Sequence, residues 1–470
     1  MGRSAIVLAA GHGSRMKSAT HKALHNVCGK PMILHILDTL DSMELDQVIV
    51  VVGQQRETVT EAIAGRADIA VQAQQLGTGD AVRAALPQLR DDTESVVVLY
   101  ADAPLIEADT LSQLFATRAA QSAAVAVLTA NVADPTGLGR VFLDEAGTVS
   151  RVVEEKDASD SERQHRLINT GIYTYAADAL RASVAQLTPD NAQGEYYLTD
   201  TLAILRSQGH KVVQHAILDA DEIASVNDRA QLAQVEKLCR ARIAQTWMKN
   251  GVTIVDPDST YIESTVTLAA DVTLLPGTIL QGNTQIESFA QIGPNTRLNN
   301  TTVGQGATVQ YAVAEDSEVG EAAQVGPFAY LRPGTKVGKR VKVGDFVEIK
   351  NSHLGDDTKV SHLAYVGDAS IGAGVNVGCG VITVNYDGEQ KHRTTVGDNS
   401  FVGSNVNLIA PVNIGEGVYI CAGSTVTDDV EDDGFVIARP KQITKPNYVK
   451  RWKLRKKGQS LREGEDHLGH

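Results

Sequence analysis

The chain has 470 residues, 43% of them hydrophobic and 21% charged, with a formal net charge of −14. That length sets an expectation of roughly two to three domains, and that composition excludes a collagenous, low-complexity or intrinsically disordered chain. The acidic balance argues against a general nucleic-acid binder, and no run is long and apolar enough to suggest a membrane span.

The strand-like run SAIVLAAG begins at Ser4, with no charged leader and long apolar stretch before it, so no signal peptide is expected. Over the first 225 or so residues, strands alternate with helices. Residues 5–9 read as a buried strand, 31–40 as a helix with Pro31 in its first turn, and 47–52 as a second strand. Residues 78–86 read as a helix and 95–100 as a third buried strand. Continuous apolar runs separated by helices predict a mainly parallel α/β sheet covered on both faces, with ligands at the carboxyl ends of its strands.

Residues 228–250 read as one amphipathic linker helix, with Leu232, Val235, Cys239, Ile243 and Trp247 on one face and Gly251 as its stop. From there aliphatics recur in sixes, irregularly at first: Val266, Val272, Ile279, Ile286, Ile292 and Leu298. The step then becomes strict through Val319, Val325, Leu331, Val337, Val343 and Ile349, and again through Val396, Val402, Leu408, Ile414, Ile420 and Val426. Neither a helix nor a strand alone has a period of six. Hexads are the mark of a β-helix, in which each short strand turns one aliphatic inward. At about 18 residues per three-sided coil, the stretch to Asp433 holds about ten coils. The segment VNYDGEQKHRTT, 384–395, breaks the step and must leave the coil as a loop, where function tends to sit. Beyond it, 439–457 carries nine Lys/Arg and no Asp/Glu, an arm suited to an anionic ligand or simply to solvent.

The four cysteines, Cys28, Cys239, Cys379 and Cys421, lie far apart without metal-ligand spacing. A reducing cytoplasm fits, and neither a zinc site nor a disulfide framework is expected.

Chemistry-bearing residues gather in both halves. In LAAGHGSRM, after the first strand, Gly11 and Gly13 leave backbone amides free to cradle phosphates, although the run does not match the dinucleotide fingerprint. Arg15 and Lys22 follow as cations of the kind phosphoryl transfer needs. Asp102, in VVVLYADAPL at the end of the third strand, suits a magnesium ligand or a turn. Asn227, before the linker helix, suits a second oxygen ligand or a helix cap. In the coils, Arg332, Glu348, Lys350, His362, Tyr365, Asn376, Asn385 and Tyr386 cluster around the expelled loop, as a functional site or as polar outward faces.

Together LAAGHGSRM, Lys22, QAQQLGTGDA, YADAPL, DPTGLGR, VVEEKDA, INTGIY, NAQGEYYLTD, LRPGTKVG, GDFVEIKNSHLG, KVSHLAYVGDASIG and NVGCGVITVNYDG resemble a bacterial bifunctional family. It is the N-acetylglucosamine-1-phosphate uridylyltransferase/glucosamine-1-phosphate acetyltransferase family, and the likeness runs from about residue 4 to about residue 445. It implies a Rossmann-like uridylyltransferase domain over 1–227, a linker helix over 228–250, a left-handed β-helix acetyltransferase over 251–438 and a basic arm over 439–470. In the first domain Leu8, Ala9, Ala10 and Gly11 would line the nucleotide, and Arg15 and Lys22 would neutralise the triphosphate of UTP. Gln72 and Gly77 would read uracil beside Thr78. Tyr100 and Ala101 would line the substrate next to Asp102, which with Asn227 would hold Mg²⁺. Gly139, Glu154 and Asn169 would grip N-acetylglucosamine-1-phosphate. In the second domain His362 would be the general base, with Glu348 orienting or polarising. Arg332 and Lys350 would hold the phosphate of glucosamine-1-phosphate, with Tyr365 and Asn376 on the sugar. Cys379, Asn385, Tyr386, Ser404, Ala422 and Arg439 would meet acetyl-CoA. A cytoplasmic homotrimer supplying cell-wall precursors is also implied, with no nucleic-acid or membrane partner.

The chain departs from the family pattern at Ala101, where Gly is usual, at His21, where Pro is usual, and at Cys379, where Ala is frequent. Three other readings stay open on the residues alone. The β-helix could serve only as a scaffold, or the whole chain as a non-catalytic binding subunit. A metal hydratase would need three convergent histidines, for which His353, His362 and His392 are the candidates.

Overall fold

The structure is a computed structural model that describes residues 2–11, 13–53, 56–191 and 193–457. It forms two compact units, divided between Thr301 and Thr302.

The first unit is built on a nine-stranded sheet. Its main path runs Val212–Ala216, Val125–Asn131, Leu167–Ala176, Thr93–Tyr100, Gly2–Leu8, Gln47–Val52, Asp68–Val71. Neighbours pair in parallel, except that Leu167–Ala176 runs antiparallel to both strands beside it. The strands Gly139–Leu143 and Val149–Val153 form a hairpin that joins this antiparallel strand. Strand side chains alternate between faces, so Ile6 and Leu8 enter one core while Ala5 and Val7 enter another. Thr78–Ala85 covers the first face through Ala81, Val82 and Ala85, and Met32–Asp41 covers the second through Ile33, Ile36, Leu37 and Leu40. Both faces are therefore buried, which is why these strands read as unbroken apolar runs. Each fully buried Val, Ile or Leu contributes about 1.5–3 kcal/mol.

The predicted helix at 228–250 spans Arg229–Lys249. Its N-terminus is capped by Asp228, whose side chain accepts from the Gln231 amide at 2.9 Å, and Gly251 stops it at a φ of +91°. Leu232, Val235, Cys239 and Ile243 pack with Met16, Val27, Cys28 and Met32, so the helix is anchored to the same unit as the sheet. Trp247, expected on that face, lies outside this cluster.

Short parallel strands begin at Thr253. Within the first unit Tyr261 pairs with Ile279, and Thr273 with Gln291. Of the early hexad positions, Ile279 is not the inward residue; Leu280 is fully buried in its place. The inward strand residues Leu268, Leu274, Leu280, Ile286, Ile292 and Leu298 are strictly six apart, and Val266 and Val272, buried two places before Leu268 and Leu274, made the step read as irregular.

In the second unit all twelve strict hexad aliphatics are buried, none more than 4% exposed. Each strand pairs in parallel with the one a coil later, Tyr330 with Glu348 and Lys342 with Lys359. Hydroxyl side chains buried at the coil corners bond backbone carbonyls of their own and the following coil. Thr335 Oγ1 donates to Arg332 O at 2.6 Å and lies 3.1 Å from Ile349 O. Such bonds satisfy polar atoms in the interior, with buried Thr394 Oγ1 an exception that has no partner. The expelled loop is present but narrower than 384–395: Val384 pairs with Ile409, and Thr394 and Thr395 pair with Ala369 and Ser370, so 385–393 leaves the ladder. The basic arm holds a helix at Tyr448–Lys456, and residues 458–470 lie outside the described residues.

Leu331 is fully buried in its coil. Leu331→Ala is expected to cost about 2–5 kcal/mol. Hydrogen exchange should lose protection around Ala314 and Ile349, which stand beside Leu331 in the ladder, because stacked repeats stabilise only their neighbours. An even loss over both units would contradict this.

Candidate active sites

In the first unit a cavity of about 290 Å³ opens at the carboxyl ends of Gly2–Leu8, Asp68–Val71 and Thr93–Tyr100. Leu8, Ala9, Ala10, Gly11, Lys22, Gln72, Gly77, Thr78, Tyr100, Ala101 and Asp102 all line it. Segments distant in sequence meet there because parallel strands bring like ends together. Gln72 is buried, and its amide donates to Gly77 O at 3.1 Å and to Asp80 Oδ2 at 2.9 Å. The segment 76–79 is strapped by the later NAQGEYYLTD run: Tyr196 N donates to Leu76 O and Gly79 N to Tyr196 O, each at 2.7 Å. Gly77 has a φ of +111°, and a Cβ there would fall 2.6 Å from Tyr196 O. Ala101 is buried, with its amide bonded to Leu8 O at 3.1 Å. His21 also lines the cavity and is buried, and its ring accepts from the Ala23 amide.

At the rim four polar groups converge. Lys22 Nζ bonds Asp102 Oδ2 and lies 2.9 Å from Asn227 Oδ1. Arg15 reaches the same Asn227 oxygen at 2.9 Å. Asn227 is not the helix cap, since Asp228 takes that role and leaves the Asn227 side chain to face the cations. Two oxygens from separate segments thus share one positive charge.

Deeper along the sheet, Gly139, Glu154 and Asn169 come together. A Cβ on Gly139 would lie 3.2 Å from Glu154 Oε2 and 3.4 Å from Asn169 Cβ, so only a glycine leaves this space open. Asn169 Nδ2 donates to Tyr173 Oη at 2.8 Å, and Thr199 Oγ1 donates to Glu154 Oε1 at 3.3 Å. Burial raises the Glu154 carboxyl above its ordinary range and outweighs the Thr199 bond. Tyr100 packs across Gly171 between this group and the cavity, and burial raises its hydroxyl far above the usual tyrosine value. Gln75 and Glu195, which line the cavity, and Thr199 were not foreseen. All three lie within the motifs given above, but only the fold turns them inward.

In the second unit the candidates occupy one face and one corner of successive coils. Glu348 pairs with Tyr365 and Tyr365 with Ile382 along the face. Arg332 bonds Glu348 Oε1 at 2.8 Å, so Glu348 is engaged by the guanidinium. The His362 ring is bonded through Nδ1 to Asp345 Oδ1 at 2.7 Å, a carboxylate the sequence did not single out. That bond is the first cause holding the Asp345 carboxyl below its ordinary range. Along the same corner stand Cys379, Ser404 and Ala422: Asn405 N donates to Cys379 O at 2.7 Å and Gly423 N to Ser404 O at 2.8 Å. Arg439 follows, its side chain passing near Gly423.

At the other edge of the face, buried Asp368 accepts from Asn351 Nδ2 at 2.6 Å and from Asn385 Nδ2 at 2.5 Å. Burial alone would raise the Asp368 carboxyl, but these amides and the charges of Lys350 and Lys391 bring it below its ordinary range. Asn385 Nδ2 also reaches Tyr365 Oη at 3.4 Å. Lys391, from the expelled loop, lies against Lys350, and this contact with a like charge lowers its pKa. Two adjoining ammonium groups suit an anion. Asn376 sits half-buried on the neighbouring strand, and Tyr386 is exposed, its hydroxyl bonded to Gly388 O at 2.5 Å. The three-histidine reading fails. His362 is engaged by Asp345, and His392 Nε2 lies 2.6 Å from Asp387 Oδ2. Among the described residues no cluster of three or more His, Cys, Asp or Glu could hold a metal.

Residues 5–212 match the MobA-like NTP transferase domain, and residues 316–351 and 393–428 match the bacterial transferase hexapeptide repeats. The chain is 50% identical to the bifunctional protein GlmU of Brevibacillus brevis over 456 residues, covering 97% of this chain and 99% of that one. It is 48% identical to GlmU of an Exiguobacterium species over 451 residues (96% and 100%), and 44% identical to that of Bacillus subtilis over 448 residues (95% and 98%). A nucleotidyltransferase domain and a left-handed hexapeptide β-helix of the acyltransferase type are thus joined in one chain, which belongs to the bifunctional GlmU family.

Proposed function

We propose that the chain makes UDP-N-acetylglucosamine in two steps, acetylating glucosamine-1-phosphate from acetyl-CoA and then transferring UMP from UTP to the product. The observation that carries the reading is the meeting of Arg15, Lys22, Asp102 and Asn227 beside a nucleotide-sized cavity, in a chain alike to bifunctional relatives over nearly its whole length.

In uridylyl transfer, an oxygen of the sugar phosphate forms a bond to the α-phosphorus of UTP while the bond to the departing pyrophosphate breaks. Positioning and charge neutralisation carry such a step. Arg15 and Lys22 neutralise the triphosphate, Gln72 and the Gly77 backbone hold the base, and Glu154 and Asn169 hold the sugar. Asp102 and Asn227 would hold a magnesium ion, which their oxygens fit because they already share one cation. Magnesium bound there supplies further charge neutralisation on the phosphates.

In acetyl transfer, His362 takes a proton from the sugar amine, whose nitrogen attacks the thioester carbonyl. The C–S bond then breaks and the coenzyme A thiolate leaves to take up a proton. Arg332 and Lys350 hold the sugar phosphate, and Lys391 joins them. Tyr365 and Asn376 meet the sugar. Cys379, Asn385, Tyr386, Ser404, Ala422 and Arg439 meet acetyl-CoA. The working boundaries are 1–227, 228–250, 251–438 and 439–470. A cytoplasmic homotrimer completes the reading by likeness to the family.

Asp102→Ala is expected to abolish magnesium-dependent uridylyl transfer, read as pyrophosphate release, and to spare acetylation; full activity at ordinary magnesium would refute the assignment. His362→Ala should lower acetyl transfer about 10²–10⁴-fold and leave uridylyl transfer intact, and loss of both would mean that the sites are not separate.

A further inference from the structure

Three features of the coil corner at His362 single out one neighbour. The strands Lys342–Asp345 and Lys359–His362 are each four residues long, whereas every other described coil strand has two or three. This extension of the ladder carries the pairing out to Asp345 and His362, which are register partners. Gly344 makes it possible: a Cβ there would fall 1.9 Å from Ser361 O, a backbone atom that cannot yield. Leu363 N then donates to Asp345 O at 2.9 Å, which closes the corner. The carboxylate and imidazole are thus placed by backbone pairing, and they meet at 2.7 Å.

We propose that Asp345 is the positioning residue for His362 in acetyl transfer. The inference rests on His362 being the base. A carboxylate accepts only, so the hydrogen on the ring sits on Nδ1, and Nε2 is left with its lone pair for the amine. When Nε2 takes the amine proton, the ring becomes a cation 2.7 Å from a carboxylate, which stabilises it. Glu348 accepts from Arg332, whereas Asp345 is the carboxylate bonded to the His362 ring. Other charged or titratable groups near the pair are Lys342 and Lys359 on its own strands, Glu348 and Tyr365 on the next face, and Cys379 on the following coil.

The test uses full-length Asp345→Ala, Asp345→Asn and His362→Ala, with acetyl-CoA turnover followed across pH and uridylyl transfer as an internal control. Asp345→Ala should lower kcat for acetylation about 10–100-fold with KM for both substrates little changed. The acid limb of its pH profile should move to lower pH, because loss of a nearby negative charge lowers the pKa of an imidazole. Asp345→Asn keeps an oxygen acceptor without the charge, so kcat should recover in part while the acid limb stays displaced. Uridylyl transfer should match the parent in both. If Asp345→Ala keeps the parent's kcat and acid limb while His362→Ala is inactive in acetylation, the inference falls and the general base stands. A rise in KM, or joint loss of uridylyl transfer, with an unmoved acid limb would also overturn it, as a purely structural role. If His362→Ala still acetylates, the reading beneath it falls instead.

Discussion

Parallel pairing sets like ends of successive strands side by side, and the crevice of the first unit and the coil corner of the second follow from that constraint, while Gly139, Glu154 and Asn169 meet through the antiparallel strands beside the crevice. In the first unit it brings the residues after Leu8, Val71 and Tyr100 to one crevice. In the second it stacks the same corner of successive coils, so His362, Cys379, Ser404 and Ala422 fall in one column. Antiparallel pairing would alternate the ends and scatter these groups. Two chemistries on one chain therefore use one backbone rule at two scales.

The cores that enforce this pairing leave the polar groups little freedom. Gly2–Leu8 is covered on both faces, so its carboxyl end cannot shift without disturbing two apolar clusters. The coils hold their register through buried aliphatics and through hydroxyls such as Thr335, which tie adjacent turns by bonds to carbonyls. Charged groups are then held in opposition at the surface. Lys22 is shared between Asp102 and Asn227, and Asp368 gathers two amides beside two lysines. Such groups are placed before any substrate arrives, which is what electrostatic catalysis asks for.

Much of this was legible in the sequence, because inward aliphatics leave a period that survives any surface variation. The strict hexads and the strand at Gln47–Val52 emerged as expected, and the expelled loop was visible as a missing step. What stayed hidden depended on register. Counting in sixes aligns His362 with Gly344, but the inward residues Ile349 and Leu354 are one position closer than a hexad. That contraction slides the ladder so that Asp345 meets His362 instead. Lys391 was missed for a related reason: a loop that leaves the coil has no period, and only the fold returns it to Lys350. Asn227 remained ambiguous because Asn and Asp both cap helices, and only the structure gives the cap to Asp228.

The central claim is that one chain performs both transfers in sequence. It is tested most directly by mass spectrometry of the purified protein incubated with glucosamine-1-phosphate, acetyl-CoA, UTP and magnesium. The account predicts UDP-N-acetylglucosamine, with free coenzyme A and pyrophosphate released in equal amounts. A sugar phosphate that stays unacetylated, while supplied N-acetylglucosamine-1-phosphate is still uridylylated, would contradict it and leave the β-helix as a scaffold.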